Sequence, residues 1–263
     1  MLNYVKVTLL TQTVNVKMRT IKLTIQYDGT EYYGWQMQAS HSTVQQVLQE
    51  ALAIVCNHPV VLHGSGRTDT GVHALGQVAH FKTHSRIDMP QLQKGLNCLL
   101  PPDVVIAGAV EAPPEFHARF DATLRTYWYI IMNTPAPSPF YRRYAWHIRK
   151  PLDLDAMRAS AGELVGMHDF SSFQARERED VCTVREVRRV RLKRVGPALL
   201  LFEIQATSFL RHMVRGIVGT LVDAGLGKLN AADMQDILRA HDRSRAGVTA
   251  PARGLFLKEV RYD

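Results

Sequence analysis

Hydrophobic and polar positions along the chain follow two periods, and each change of period marks an element. From Met18 the apolar Ile21, Leu23, Ile25 and Tyr27 alternate with Lys22, Thr24 and Gln26, a period of two that predicts a half-buried strand. Asp28-Gly29 ends it as a turn, and an aromatic loop, Tyr32-Tyr33-Gly34-Trp35, follows. Ser42 with Gln45 reads as a capping box, opening a helix with Val44, Val47, Leu48, Ala51 and Val55 at helical spacing. Next come a short strand at Val60 to Leu62, a polar loop from His63 to Gly71, and a strand through Gln77 to Phe81. A helix from Met89 to Leu100, with Leu92, Leu96 and Leu99 on one face, is stopped by Pro101-Pro102, and a strand returns from Val104 to Val110.

After Pro113-Pro114 the order begins again. Leu124 to Met132 predicts a strand and Asp153 to Val165 a helix. Val184 to Lys193 and Leu199 to Ala206 form a hairpin through Gly196-Pro197, and Ser208 to Ala224 reads as a helix. The expectation is an α+β fold of two similar halves, 18–121 and 122–263, each a mainly antiparallel sheet with helices on one face. The open faces of the sheets would form a shared central cleft. Residues 1–17 are read as an N-terminal extension; with no Arg and no apolar run before a small-residue cleavage site, they look like neither a signal nor a transit peptide.

Composition narrows the class. Of 263 residues, 46% are hydrophobic and 21% charged, which excludes disordered and low-complexity chains. The longest apolar stretches, such as Ala198 to Phe202, are far shorter than the roughly 18 to 20 residues a membrane helix needs, so no membrane span is expected. Three scattered cysteines, Cys56, Cys98 and Cys182, argue against a disulfide framework or a thiolate zinc site and fit a reducing cytoplasm. The net charge of +8 favours a polyanionic partner. Half of that excess lies between Arg176 and Arg194, where eight basic residues face four acidic ones. A solvated strand face and a nucleic-acid surface explain that run equally well.

The densest polar constellation is Gly64-Ser-Gly-Arg67-Thr-Asp69-Thr-Gly71-Val-His73-Ala74. It lacks the Gly-rich phosphate-loop patterns, and its aspartate would repel phosphate, so a nucleotide-binding loop is rejected. A tight turn in which Asp69 caps the backbone near Gly71 is one alternative. A metal site using Asp69 with His63, His73 or His80 is another, although single unpaired ligands of this kind argue against it.

The run Gly66-Arg67-Thr68-Asp69-Thr70-Gly71-Val72-His73-Ala74 resembles the active-site motif of the tRNA pseudouridine synthases of the A type. Tyr27-Asp28-Gly29-Thr30 with Gly34-Trp35-Gln36, then Phe120 to Tyr129, Phe209 to Gly219 and Ala250-Pro-Ala-Arg-Gly254-Leu255 resemble the same family in the same order, so the likeness spans 18–263. It implies the pseudouridine synthase fold and a cofactor-free, metal-free isomerase. Such an enzyme detaches uracil from its ribose and rejoins it through C5, in the anticodon stem-loop of tRNA at positions 38, 39 and 40. It also implies a cytoplasmic homodimer whose cleft gathers RNA contacts from both subunits.

By resemblance Asp69 is the essential aspartate, acting at C1′ or on the C2′ proton, and Arg215 is the cation that pairs with it. Tyr127 is the tyrosine that meets the flipped uracil and can assist proton removal at C5, and Arg67 helps to extrude the nucleotide and hold its phosphate. Period two places Arg125 on the Tyr127 face, among the substrate contacts, and makes Trp128 the better candidate for a core aromatic. Arg211, four residues before Arg215, is read as sharing its helix face and contacting phosphate. Thr126 and Trp128 replace two arginines common in the family, which leaves Tyr127 in place but weakens RNA contacts near that strand. The hairpin Arg185 to Arg194 is a candidate contact for an RNA stem. Without the family, the rivals are a non-enzymatic RNA-binding module and a ribonucleoside hydrolase or glycosidase, the latter normally needing a second carboxylate that the loop does not offer.

Overall fold

Ile21, Leu23, Ile25 and Tyr27 are all buried, as their alternation requires, on one face of β1 (Arg19–Tyr27). The computed structural model describes residues 18–175 and 182–262. The extension 1–17 and the stretch 176–181, which includes Arg176 and Arg178 of the basic run, lie outside the described residues.

The first series continues with α1 (Val44–Cys56), β2 (His63–Gly64), β3 (His73–Thr83), α2 (Met89–Leu99) and β4 (Val104–Ala112). The second contains β5 (Leu124–Asn133), β6 (Trp146–Ile148), α3 (Leu154–Gly162), β7 (Gly166–Asp169), β8 (Val184–Val195), β9 (Leu199–Ala206), α4 (Met213–Gly225), α5 (Ala231–Ala240) and β10 (Leu255–Arg261). The expected α+β architecture is present, with the strands of both series joined in one ten-stranded sheet. Its order is β4-β1-β3-β10-β5-β9-β8-β7, with β2 on β3 and β6 on β5. All pairings are antiparallel except β10 with β3 and β5 with β6. The C-terminal strand β10 is the stitch between the two series.

Two hydrophobic clusters sit against this sheet. One gathers the β1 face with Leu48 and Leu52 of α1 and Leu92 and Leu96 of α2. The other gathers Leu200, Phe202 and Ile204 of β9 with Met213, Ile217 and Leu221 of α4 and Met157 of α3. Tyr127 packs against both, so it stands at the seam.

Four local expectations are corrected. The N-cap of α1 is Thr43, whose Oγ accepts the Gln46 N–H, rather than Ser42. Gln45 is occupied elsewhere. Its amide donates to the Leu62 carbonyl while Gln49 accepts the Leu62 N–H, so Leu62 is satisfied by helix side chains and Val60 to Leu62 forms no strand. Leu99, expected on the buried face of α2, is exposed at the helix end. The helix expected from Ser208 starts only at Met213, because His212 takes a left-handed conformation (φ 62°) and Phe209 and Leu210 turn into the core.

The polar loop is held from behind. Trp35 N–H donates to the Thr68 carbonyl and Gly71 N–H to that of Tyr32, while the Tyr27 hydroxyl lies 2.7 Å from the Thr68 hydroxyl. This close seat explains two glycines. A Cβ on Gly29 would lie 2.0 Å from the Val72 carbonyl oxygen, and one on Gly34, whose φ is 82°, would lie 2.6 Å from that of Thr68. Behind the loop, buried His80 of β3 accepts the Ala118 N–H at Nδ1 and packs against the rings of His63 and His117, which also touch each other. Burial, reinforced by those two rings, pushes its pKa down to about 4.

Gly34→Ala is therefore expected to cost about 1–3 kcal/mol of stability, as a side chain forced into left-handed backbone does. Urea unfolding measures it, and a change below about 0.5 kcal/mol, typical of a neutral surface substitution, contradicts the close seat. Because His80 titrates lower in the folded than in the unfolded chain, the unfolded chain takes up its proton first as pH falls. The melting temperature should decline as pH is lowered from about 6.5 to 4, less steeply in His80→Gln. Parallel profiles for the two proteins would show that His80 is not the cause.

Candidate active site

Asp69 lies in the loop between β2 and β3, and its side chain caps nothing there; its carbonyl, not its carboxylate, accepts the Val72 N–H. The carboxylate instead reaches across the seam. Arg215 Nη1 donates to Asp69 Oδ2 at 3.0 Å, and His212 Nε2 lies 3.3 Å from the same oxygen. Both partners come from the start of α4, whose N-terminal dipole also favours negative charge. Arg215 is fixed in turn by its Nε, which donates to the Ala250 carbonyl at 2.8 Å, while Ala250 N–H returns a bond to the Arg215 carbonyl. The run Ala250 to Gly254 is thus a brace for the arginine. Burial pushes His212 below the ordinary histidine range despite the nearby Asp69 charge, so its ring is a close neighbour of the carboxylate rather than a hydrogen-bonded partner.

Tyr127 lies on β5, edge-on to Phe209 at 5.1 Å between ring centroids. Burial pushes its phenol up to about 12, with the Asp69 charge adding to the rise against the opposing charge of Arg125. Its strand neighbour on the same face, Tyr129, is fully buried with its hydroxyl on the Pro251 carbonyl. This face carries the helices. On it Tyr127 packs against both hydrophobic clusters, and the Asp69–Arg215 pair joins the two series.

The remaining predicted residues separate into two kinds. Arg67 is exposed two residues before Asp69, its Nε on Gln36 Oε1 at 3.1 Å. Arg211 is exposed, but it sits in the turn before α4 and so shares no helix face with Arg215. Arg125, expected among substrate contacts, instead donates from Nη1 to the carbonyls of Ala122 and Thr207 and from Nη2 to those of Ser65 and Arg119. It clamps the root of the Asp69 loop to β5 and to the segment leading into α4. Trp128 lies on the opposite face of β5, only partly buried, with Nε1 on Glu203 and Lys258 over its ring, and is not a core residue. In the basic hairpin Arg185, Arg188, Arg189 and Arg194 bond within the hairpin and its immediate flank, and Arg188, Arg191, Lys193 and Arg194 are exposed. His212 is the site residue that sequence reasoning passes over. It belongs to the family-like run His212-Met213-Val214-Arg215, in which only the arginine is given a role, and its left-handed backbone sets it at the head of α4 beside Asp69.

Chemically, the arrangement is one carboxylate held by an arginine, with an imidazole close to the same oxygen, beside an aromatic ring. Among the described residues no group of three or more His, Cys, Asp or Glu is placed to hold a metal ion.

Known proteins carry the same plan in sequence. A sequence profile described as tRNA pseudouridine synthase matches residues 23–121 and 161–263. Proteins named tRNA pseudouridine synthase A include that of Thermoanaerobacter pseudethanolicus, 44% identical over 245 residues that cover 93% of this chain and 100% of the relative. That of Citrifermentans bemidjiense is 46% identical over 247 residues, covering 94% and 98%, and that of Geotalea uraniireducens is 45% identical over 245 residues, covering 93% and 100%. On a profile that matches most of its length and relatives more than 40% identical over nearly all of it, the chain belongs to the tRNA pseudouridine synthase family.

Proposed function

We propose that this chain isomerises uridine to pseudouridine at positions 38, 39 and 40 of the tRNA anticodon stem-loop, with Asp69 acting on the ribose of a flipped nucleotide. The observation that carries the reading is the Asp69 carboxylate paired with Arg215 at 3.0 Å beside Tyr127, at the seam between two hydrophobic clusters. Uracil leaves C1′ either as Asp69 bonds to that carbon or as Asp69 removes the C2′ proton. The base then turns and C5 bonds to C1′, either displacing the Asp69 oxygen from that carbon or with Asp69 returning the proton to C2′; the C5 proton leaves to water and N1 takes one up, so uridine and pseudouridine differ only in which atom carries the bond to C1′. No cofactor or metal is needed for that balance.

Tyr127, neutral at physiological pH, meets uracil as a ring and an O–H rather than as a phenolate base. Arg67 and Arg211, both exposed, contact phosphates beside the flipped nucleotide, and Arg125 supports the loop from below. A glycosidase would need a second carboxylate near the first, whereas the charged or titratable groups that contact Asp69 among the described residues are Arg215 and His212.

The two halves, 18–121 and 122–263, form the walls of the cleft in this reading, which the separate hydrophobic clusters support. The proposal extends to a cytoplasmic homodimer. No described helix is long and apolar enough to cross a membrane.

Unmodified tRNA incubated with the protein should acquire pseudouridine at 38, 39 or 40 where uridine stands there, mapped by carbodiimide adduct formation and primer extension. Modification confined to other loops overturns the anticodon assignment, and none at all overturns the enzyme. Tyr127→Phe should keep most of the activity and Tyr127→Ala should lose about 10²-fold, in line with about 1–3 kcal/mol for base stacking. Equal losses in the two would give the role to the hydroxyl instead.

A further inference from the structure

Two motifs of the sequence, Tyr27-Asp28-Gly29-Thr30 and Ala250-Pro-Ala-Arg-Gly254, do more than buttress the site. They meet at a cavity of about 270 Å³ beside the Asp69 loop, lined by Thr30 and Gly71 on one side and by Ala252, Arg253, Arg142 and Arg143 on the other. Gly71 is two residues from Asp69, so the cavity adjoins the reaction centre.

The arginines are placed by a shared support. Buried His73, four residues after Asp69, directs Nε2 at the carbonyls of both Arg143 (3.0 Å) and Arg253 (3.2 Å), while the Gly29 N–H donates to its Nδ1 at 3.1 Å. Burial lowers its pKa, so the ring is neutral with its proton on Nε2, and the Asp28 oxygen 3.0 Å from Nδ1 is a close neighbour rather than an ion-pair partner. One imidazole thus fastens three segments of chain around the cavity. Asp28 is turned to Thr30 and to the Tyr144 hydroxyl. Arg143 is paired with exposed Glu31 at 3.2 Å, and Arg253 anchors its Nε on the Ala145 carbonyl at 3.3 Å. Among the described residues, no acidic side chain pairs with Arg253 or with Arg142, and both arginines are exposed.

We infer that this cavity is a phosphodiester subsite that grips the RNA backbone within a nucleotide or two of the flipped uridine, with Arg142 and Arg253 as its principal ligands. The inference rests on the isomerase reading for the identity of the RNA, and on the cavity for its place. Guanidinium groups suit a phosphate because their paired N–H donors match two of its oxygens. Fixing a phosphate here would hold the strand while the adjacent base is out of its stack, a state that costs unpairing energy.

The test is equilibrium binding of unmodified tRNA as a function of salt, comparing wild type, Arg142→Gln/Arg253→Gln, and Arg239→Gln as a control on exposed α5. The double variant should bind about tenfold more weakly at moderate salt, as expected when a charge-assisted hydrogen bond is removed. Its slope of log K against log salt should be shallower by about 0.7–0.9 for each phosphate no longer neutralised. Arg253→Lys, paired with native Arg142, should keep the slope. An unchanged slope in the double variant, or the same change in the Arg239 control, overturns the subsite. A wild type that binds with the expected slope yet forms no pseudouridine leaves the subsite standing and overturns the isomerase reading.

Discussion

The ion pair between Asp69 and Arg215 is the interaction on which the arrangement depends. Its members lie 146 positions apart in sequence, one on a loop of the first series and one on a helix of the second. Coulomb attraction over 3.0 Å between partly buried groups is substantial, but side chains of that length hold it only when both backbones are fixed. Here both are. Gly29 and Gly34 let the Asp69 loop lie against backbone, and Ala250 holds Arg215 by two hydrogen bonds, one to its guanidinium and one to its carbonyl. Strand β10 then joins the strands of the two series, so the pair bridges parts of one continuous sheet.

That fixed geometry bears on the chemistry. A carboxylate acting at an anomeric carbon or its neighbour gains most when it is oriented before the substrate arrives. Arg215 and His212 both face Oδ2, which leaves Oδ1 without a hydrogen-bond partner among the described residues and turned to the cleft in the proposed reaction. In the proposed reaction Tyr127 meets the flat base, as its place against both hydrophobic clusters and its neutral phenol suit it to do.

Much of this was legible in the sequence. Alternation placed β1 and the β8–β9 hairpin, and the motif loop singled out Asp69. Side-chain hydrogen bonds and backbone conformation explain the misses. Gln45 and Gln49 satisfy Leu62, so an apolar run that looks like a strand needs no partner strand. The left-handed His212 shortens a helix whose apolar spacing continues upstream. Arg125 and Trp128 were exchanged in character, one a half-buried clamp and the other an amphipathic residue on the open face, because period two assigns faces without saying which face is covered. The α5 helix carries its own start signal in Asn230 and Asp233, a true capping box, but its net polarity hides the short apolar stripe of Met234, Ile237 and Leu238.

The central claim is that the Asp69 carboxylate performs the glycosidic exchange, and release of tritium from C5-tritiated uridine in unmodified tRNA tests it most directly. With no metal or nucleotide added, the wild type should expel the label, and Asp69→Asn, which keeps the shape and loses the charge, should slow release by about 10³-fold or more while still binding tRNA. Release at the wild-type rate by the asparagine variant would contradict the account, because the carboxylate could then have no part in breaking or remaking the bond to C1′.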